Sequence, residues 1–164
     1  MTVRPRQVAP SLLHLDAIIA RLHGRAALTE VCRFLRSEFP SYRWVGIYRK
    51  DGEELRLEAW DGERPTEHTV IPIDRGVCGR AVRENAPVIV RDVRDAPEYL
   101  ACFLETRAEI VVPIRRDEAS IGEIDVDGNE VGAFDESDAE FLSRVAAKLG
   151  PLIDAAATVP WSPP

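Results

Sequence analysis

Two neighbouring stretches decide the fold: Glu109-Ile-Val-Val-Pro-Ile-Arg115 and Ser120-Ile-Gly-Glu-Ile-Asp-Val-Asp127. Both have the β-branched content of strands, and the few residues between them predict an antiparallel hairpin. Side chains on a strand alternate between faces. In the second stretch Ile124 and Val126 therefore point one way, and Glu123, Asp125 and Asp127 the other. In the first, Ile110, Val112 and Ile114 oppose Glu109, Val111 and Pro113. One sheet face is aliphatic and suits helices, while the other carries acids. Carboxylates side by side repel and resist burial, so a strand that holds them on one face asks for a ligand.

Moving outward, Tyr42–Arg49 and Glu54–Trp60 predict a first hairpin around Lys50-Asp51-Gly52. Val45 and Ile47 share one face; Trp44, Gly46 and Tyr48 share the other, two aromatics with a gap between them. His68–Ile73 reads as a strand, Gly76–Glu84 as a short helix and Val88–Val90 as a short strand. The segment from Asp92 to Ala108 has no sustained period, and loops of that length in small domains tend to be functional. Helical spacing of apolar residues appears in Ser11–His23, with Gly24 as its stop, and again from Leu28 to Phe39, ended by Pro40. Asp135 caps a last helix carrying Phe141, Leu142, Val145, Leu149 and Ile153. The predicted fold class is α+β: a central antiparallel sheet, terminal helices on one face and a loop-covered pocket on the other.

Composition narrows the function classes. At 164 residues the chain is one domain spanning 1–164, with a core about 26–150 and a flexible tail at 158–164. The N-terminus lacks an apolar leader and no run reaches membrane-spanning length, which points to the cytoplasm and to no membrane partner. A net charge of -7 disfavours nucleic acid. Three cysteines without a Cys-x-x-Cys pair argue against a disulfide framework and a zinc motif, and no metal is expected. Cys32 falls on the apolar stripe of the second helix and reads as a core residue. Cys78, in Gly-Val-Cys-Gly, and Cys102, in Leu-Ala-Cys-Phe, lie outside the strands and are the candidates for thiol chemistry. The amphipathic terminal helices leave room for a homodimer.

From about Leu28 to Leu149 these residues resemble GAF domains, and among them the free methionine-(R)-sulfoxide reductases. The resemblance rests on Gly-Val-Cys-Gly, the Ala-Cys at 101 and 102, Glu-Ile-Val-Val-Pro-Ile, and Gly-x-Ile-Asp-Val-Asp followed by Phe134-Asp135. It implies that Cys102 attacks the substrate sulfur and that Cys78 takes part in disulfide exchange. It implies further that Trp44, Tyr48, Glu109, Asp125 and Asp127 surround free methionine sulfoxide, and that an external thiol reductant such as thioredoxin restores the enzyme with no bound cofactor. The chain departs from the pattern at His68, near a position where members often have a third cysteine, and at Glu98-Tyr99-Leu100 and Phe103, which flank Ala101-Cys102. The alternative is a non-catalytic GAF sensory module that binds a small metabolite, since one fold hosts both functions.

Overall fold

The computed structural model describes residues 3–164, so the first two positions of the expected 1–164 domain lie outside the described residues. Six strands form one antiparallel sheet: β1 (Trp44–Asp51), β2 (Glu54–Gly62), β3 (Val70–Pro72), β4 (Val88–Val90), β5 (Ala108–Arg116) and β6 (Ala119–Gly128), in the order β3-β2-β1-β6-β5-β4. On the aliphatic face α2 (Gly24–Glu38), α4 (Glu136–Ala146) and α5 (Gly150–Ala156) pack against the sheet, and α1 (Pro5–Arg21) packs on α2 and α4. Their apolar stripes meet Val45, Ile47, Ile110, Val112, Ile124 and Val126 in the main core, and Cys32 is fully buried there. The opposite face carries α3 (Gly76–Glu84) and the loop 91–107, which includes the 3-10 segment Val93–Asp95. A second, smaller core of Tyr48, Leu55, Leu57, Val77, Ala81 and Val111 lies beneath them.

The predicted α+β layering is observed, with adjustments at element ends. α1 begins at Pro5 rather than Ser11, because a first turn needs no N–H from proline. Gly24, read as a stop, opens α2 with φ +53°, a left-handed value that glycine takes without strain. The single C-terminal helix is in fact two. Asp135 caps α4 as expected, its Oδ1 accepting from Ser137 N at 2.9 Å, but Pro151 in the first turn of α5 marks a new start. The tail is docked at one point instead of free: Trp161 Nε1 donates to Leu57 O at 2.9 Å, and the Arg56 guanidinium lies 5.5 Å from its ring.

One irregularity shapes the sheet. Ile47 pairs with Ala59 but Tyr48 pairs with Leu57, leaving Glu58 as an extra residue in β2. Its carboxylate is buried and paired twice, with Arg25 Nη2 at 2.9 Å and Arg49 Nε at 2.8 Å. Two guanidiniums thus compensate the desolvation of one acid.

Candidate active site

The register of β1, β6 and β5 sets the pocket floor in rows. Trp44, Asp127, Glu109 and Val90 form one row; Gly46, Asp125, Val111 and Val88 the next; Tyr48, Glu123 and Pro113 the third. All four acids are almost wholly removed from solvent, with 5% of Glu109, 0% of Glu123, 1% of Asp125 and 2% of Asp127 exposed. Among the described residues no Lys or Arg forms a salt bridge with any of them. Glu109 Oε2, both Glu123 carboxylate oxygens, Asp125 Oδ1 and Asp127 Oδ2 have no hydrogen-bond partner in the protein. Buried polar atoms are ordinarily paired, and such a concentration of exceptions marks a place built for something else.

Burial and mutual repulsion set the charge state. Desolvation raises Glu109 and Asp127 well above the usual carboxylate range, and the neighbouring acids, Asp125 first, push the same way. Desolvation also lifts Glu123, to about 8. Asp125 is lifted least, to about 6, because hydrogen bonds from Glu109 and Cys78 and the proximity of His68 oppose its desolvation. Burial and mutual repulsion thus favour protonation across the cluster, least strongly at Asp125.

Both loop-side cysteines meet this cluster. Gly76, at φ +71°, turns the chain into α3, and a Cβ on Gly79 would lie 2.5 Å from Ile73 O, so this glycine lets the helix press against the end of the preceding strand. The two glycines seat Cys78, whose Sγ stands 3.5 Å from Asp125 Oδ2. Cys102 comes from the loop 91–107. Cys78, Cys102, Glu109, Asp125, His68 and Leu100 enclose a cavity with about 10 Å³ for the centre of a water-sized sphere, room for about one water. Both thiols are free, and their pKa values are raised, by burial first and by the acids second.

Trp44 and Asp127, though buried, also border a second pocket. They line an open cleft with Arg43, Arg64, Phe103 and Thr106 on the other side of the loop. The gap expected between Trp44 and Tyr48 does not exist. The Trp44 indole lies flat across Gly46 and Gly62, where added Cβ atoms would come within 2.3 and 2.2 Å of it, and it stacks on Trp60 at 6.4 Å. Tyr48 is fully buried and braces the wall, its hydroxyl donating to His68 O at 2.8 Å.

Further residues complete the site. Glu123 belongs to the acid cluster, as its place in the alternation of β6 already signalled. His68 Nε2 lies 3.1 Å from Ala101 O, next to Cys102. Thr66 is buried and its Oγ1 accepts from His68 N at 3.0 Å, while the buried Tyr99 hydroxyl has no protein partner. Thr66 and Tyr99 sit in irregular segments that carry no periodic signal, and His68, expected to open a strand, lies two residues before β3 begins at Val70. The loop itself is pinned by Arg80–Glu98 at 3.1 Å, by Arg64–Glu105 at 2.6 Å and by the contact of His68 with Ala101.

A family model described as GAF domain matches residues 24–154. This chain belongs to the GAF domain family. Among curated relatives, this GAF domain is 37% identical to GAF domain-containing protein A of Dictyostelium discoideum, over 73% of its own length and 75% of that protein. It is 30% identical to the free methionine-R-sulfoxide reductase of Escherichia coli, over 76% and 74%. Among solved structures, the type II free methionine-R-sulfoxide reductase from Thermoplasma acidophilum superposes with a TM-score of 0.76 at 41% identity, covering 79% of this chain and 91% of that one. The free methionine-R-sulfoxide reductase of Neisseria meningitidis, solved in complex with its substrate, superposes with a TM-score of 0.83 at 32% identity, covering 96% of each chain.

Proposed function

We propose that this GAF domain reduces free methionine-(R)-sulfoxide to methionine, with Cys102 as nucleophile and Cys78 as resolving thiol. The observation that carries the reading is the meeting of two free thiols with Glu109 and Asp125 around one cavity, within a cluster of four buried acids that each keep an oxygen without a protein partner. Likeness to reductases solved with substrate supports it.

A free amino acid brings an ammonium group, the counter-charge that this cluster lacks. Ionised Asp125 and a second acid that gives up its proton would hold that ammonium, and the thioether end would rest against Trp44. A peptide-bound methionine sulfoxide has no ammonium and leaves the acids uncompensated, which gives selectivity for the free compound. The ammonium also favours the Cys102 thiolate, which the ligand-free pocket disfavours.

The Cys102 thiolate attacks the sulfoxide sulfur while a protonated acid, Glu109 or Asp127, donates to the oxygen; proton donation of this kind contributes about 10²–10⁴-fold. Oxygen passes to sulfur of Cys102, methionine leaves, and Cys102 becomes a sulfenic acid. Cys78 then attacks it, water leaves and a disulfide forms. A cytoplasmic dithiol of the thioredoxin class returns both residues to thiols. Because the ligand-free cavity admits about one water, the loop 91–107 must move for substrate to enter.

The test is incubation with separated R and S free methionine sulfoxide and dithiothreitol, with methionine measured. R-selective turnover that disappears in Cys102→Ser and persists in Cys32→Ser supports the proposal. Unchanged turnover in Cys102→Ser removes the nucleophile, and tight binding of the sulfoxide without turnover selects the sensory module instead.

A further inference from the structure

The cavity gathers more than an ammonium site requires. Cys78 on α3, Glu109 on β5 and Asp125 on β6 each offer one ligand atom, and these atoms all lie within 4.8 Å of one another. We infer that these three side chains form a binding site for a thiophilic divalent cation of the zinc class. No cation was expected from cysteine spacing, because the three ligands come from three separate elements and leave no local motif.

The geometry matches that ion. With Zn–S near 2.3 Å and Zn–O near 2.0 Å, the sulfur–oxygen edge of a tetrahedral shell is about 3.5 Å. Cys78 Sγ and Asp125 Oδ2 already stand at 3.5 Å. Glu109 closes the third corner by a small side-chain rotation, and the adjoining space, about 10 Å³, admits one water as fourth ligand. Glu109 Oε2 and Asp125 Oδ1 are buried and lack protein partners. One thiolate and two carboxylates on a rigid helix and two adjacent strands suit a borderline-soft tetrahedral ion. Calcium and magnesium need six or more oxygens, and this cavity does not supply them.

Occupancy has two consequences that rest on the reductase reading. The cation takes the carboxylates that would hold the substrate ammonium, and it ties up the thiol that would resolve the sulfenic acid. Zinc would therefore be a reversible inhibitor, competitive with free methionine sulfoxide.

The experiment reads binding directly, so it does not depend on turnover. Reduced protein is dialysed to equilibrium against Zn²⁺, and Co²⁺ is added separately to record the thiolate-to-metal charge-transfer band. Expected are one equivalent of zinc per chain in the wild type, in Cys32→Ser and in Cys102→Ser, each with a cobalt band. Cys78→Ser should lose the band, and both it and Glu109→Gln should bind zinc ~10-fold or more weakly. The inference is overturned if folded wild type binds no zinc or gives no cobalt band, or if Cys78→Ser keeps the band or binds zinc as tightly as wild type. Loss of binding in Cys102→Ser would move the thiolate ligand to the loop and overturn the assignment as well. Should Cys78→Ser not fold, the wild-type band together with Glu109→Gln decides. A protein that binds zinc through Cys78 but reduces no sulfoxide would keep the site and sink the reductase reading alone.

Discussion

Glu109 and Asp127 are direct partners across the β5–β6 ladder, two buried acids in one row with Trp44 at its end. Burial and the neighbouring acids raise both well above the usual carboxylate range, and each keeps an oxygen without a protein partner. This pair is a store of protons and of unmet hydrogen-bonding capacity.

Asp127→Asn keeps the shape and removes the acid. Its melting temperature should hold or rise by a few degrees, since the amide carries no cost of keeping a buried acid protonated. The kcat/KM for free methionine-(R)-sulfoxide should fall about 10–100-fold, the equivalent of a lost hydrogen bond to a charged group. Unfolding of the variant would show that Asp127 serves the fold.

Glu123 makes stability depend on pH. Its pKa rises from 4.5 to about 8 on folding, so the native state holds the proton more tightly than the unfolded chain. The contribution is fully present below pH 4.5 and is lost as pH rises towards about 8. In denaturant titrations the stability of Glu123→Gln relative to wild type should therefore grow across that window, by up to about 5 kcal/mol, and level off above it. A pH-independent difference would mean that Glu123 is ionised in the native pocket.

Stoichiometric substrate without reductant should give one methionine per chain and a Cys78–Cys102 disulfide on peptide mapping. Because such a bond needs Cα atoms within roughly 7 Å, closure draws the loop 91–107 towards α3. Cys78→Ser should preserve the first turnover and stop thioredoxin-supported cycling. If it cycles as fast as wild type with thioredoxin, Cys78 is not the resolving residue.

A Cβ on Gly46 would lie 2.3 Å from Trp44 Cη2, and the indole has Trp60 and Phe103 against it. Gly46→Ala should destabilise the domain by about 1–3 kcal/mol through overpacking and raise KM. An unchanged melting temperature and KM would show that the indole has a second resting place.

The alternation of β6 made the acid face legible, because period two is a property of the strand itself and burial on one side fixes its register. Cys32 was legible for the same kind of reason, as a position on a helical stripe. The misreading of Gly46 is instructive. Periodicity says which face a side chain leaves from, but the direction the Trp44 ring takes from there is set by glycines on two strands, one of them, Gly62, distant in sequence. The docking of Trp161 on Leu57 and Arg56 escaped for a similar reason, since a short segment of proline and serine carries no pattern until its neighbour in space is known. Thr66 and Tyr99 sit where no period operates, His68 falls just short of the strand it was expected to open, and only the folded chain brings the three beside Cys102.

The indole lying over Gly46 and Gly62 also gives the molecule an optical property. Trp44 is 2% exposed, its Nε1 has no protein partner, and it shares a row with Asp127 and Glu109. Its emission therefore responds to the protonation of those acids and to whatever sits beside them. Trp60 is coupled to it by stacking, whereas Trp161 reports on the far end of β2. The same ring that closes the floor is an internal lamp for the pocket, readable in the unlabelled protein as it fills and empties.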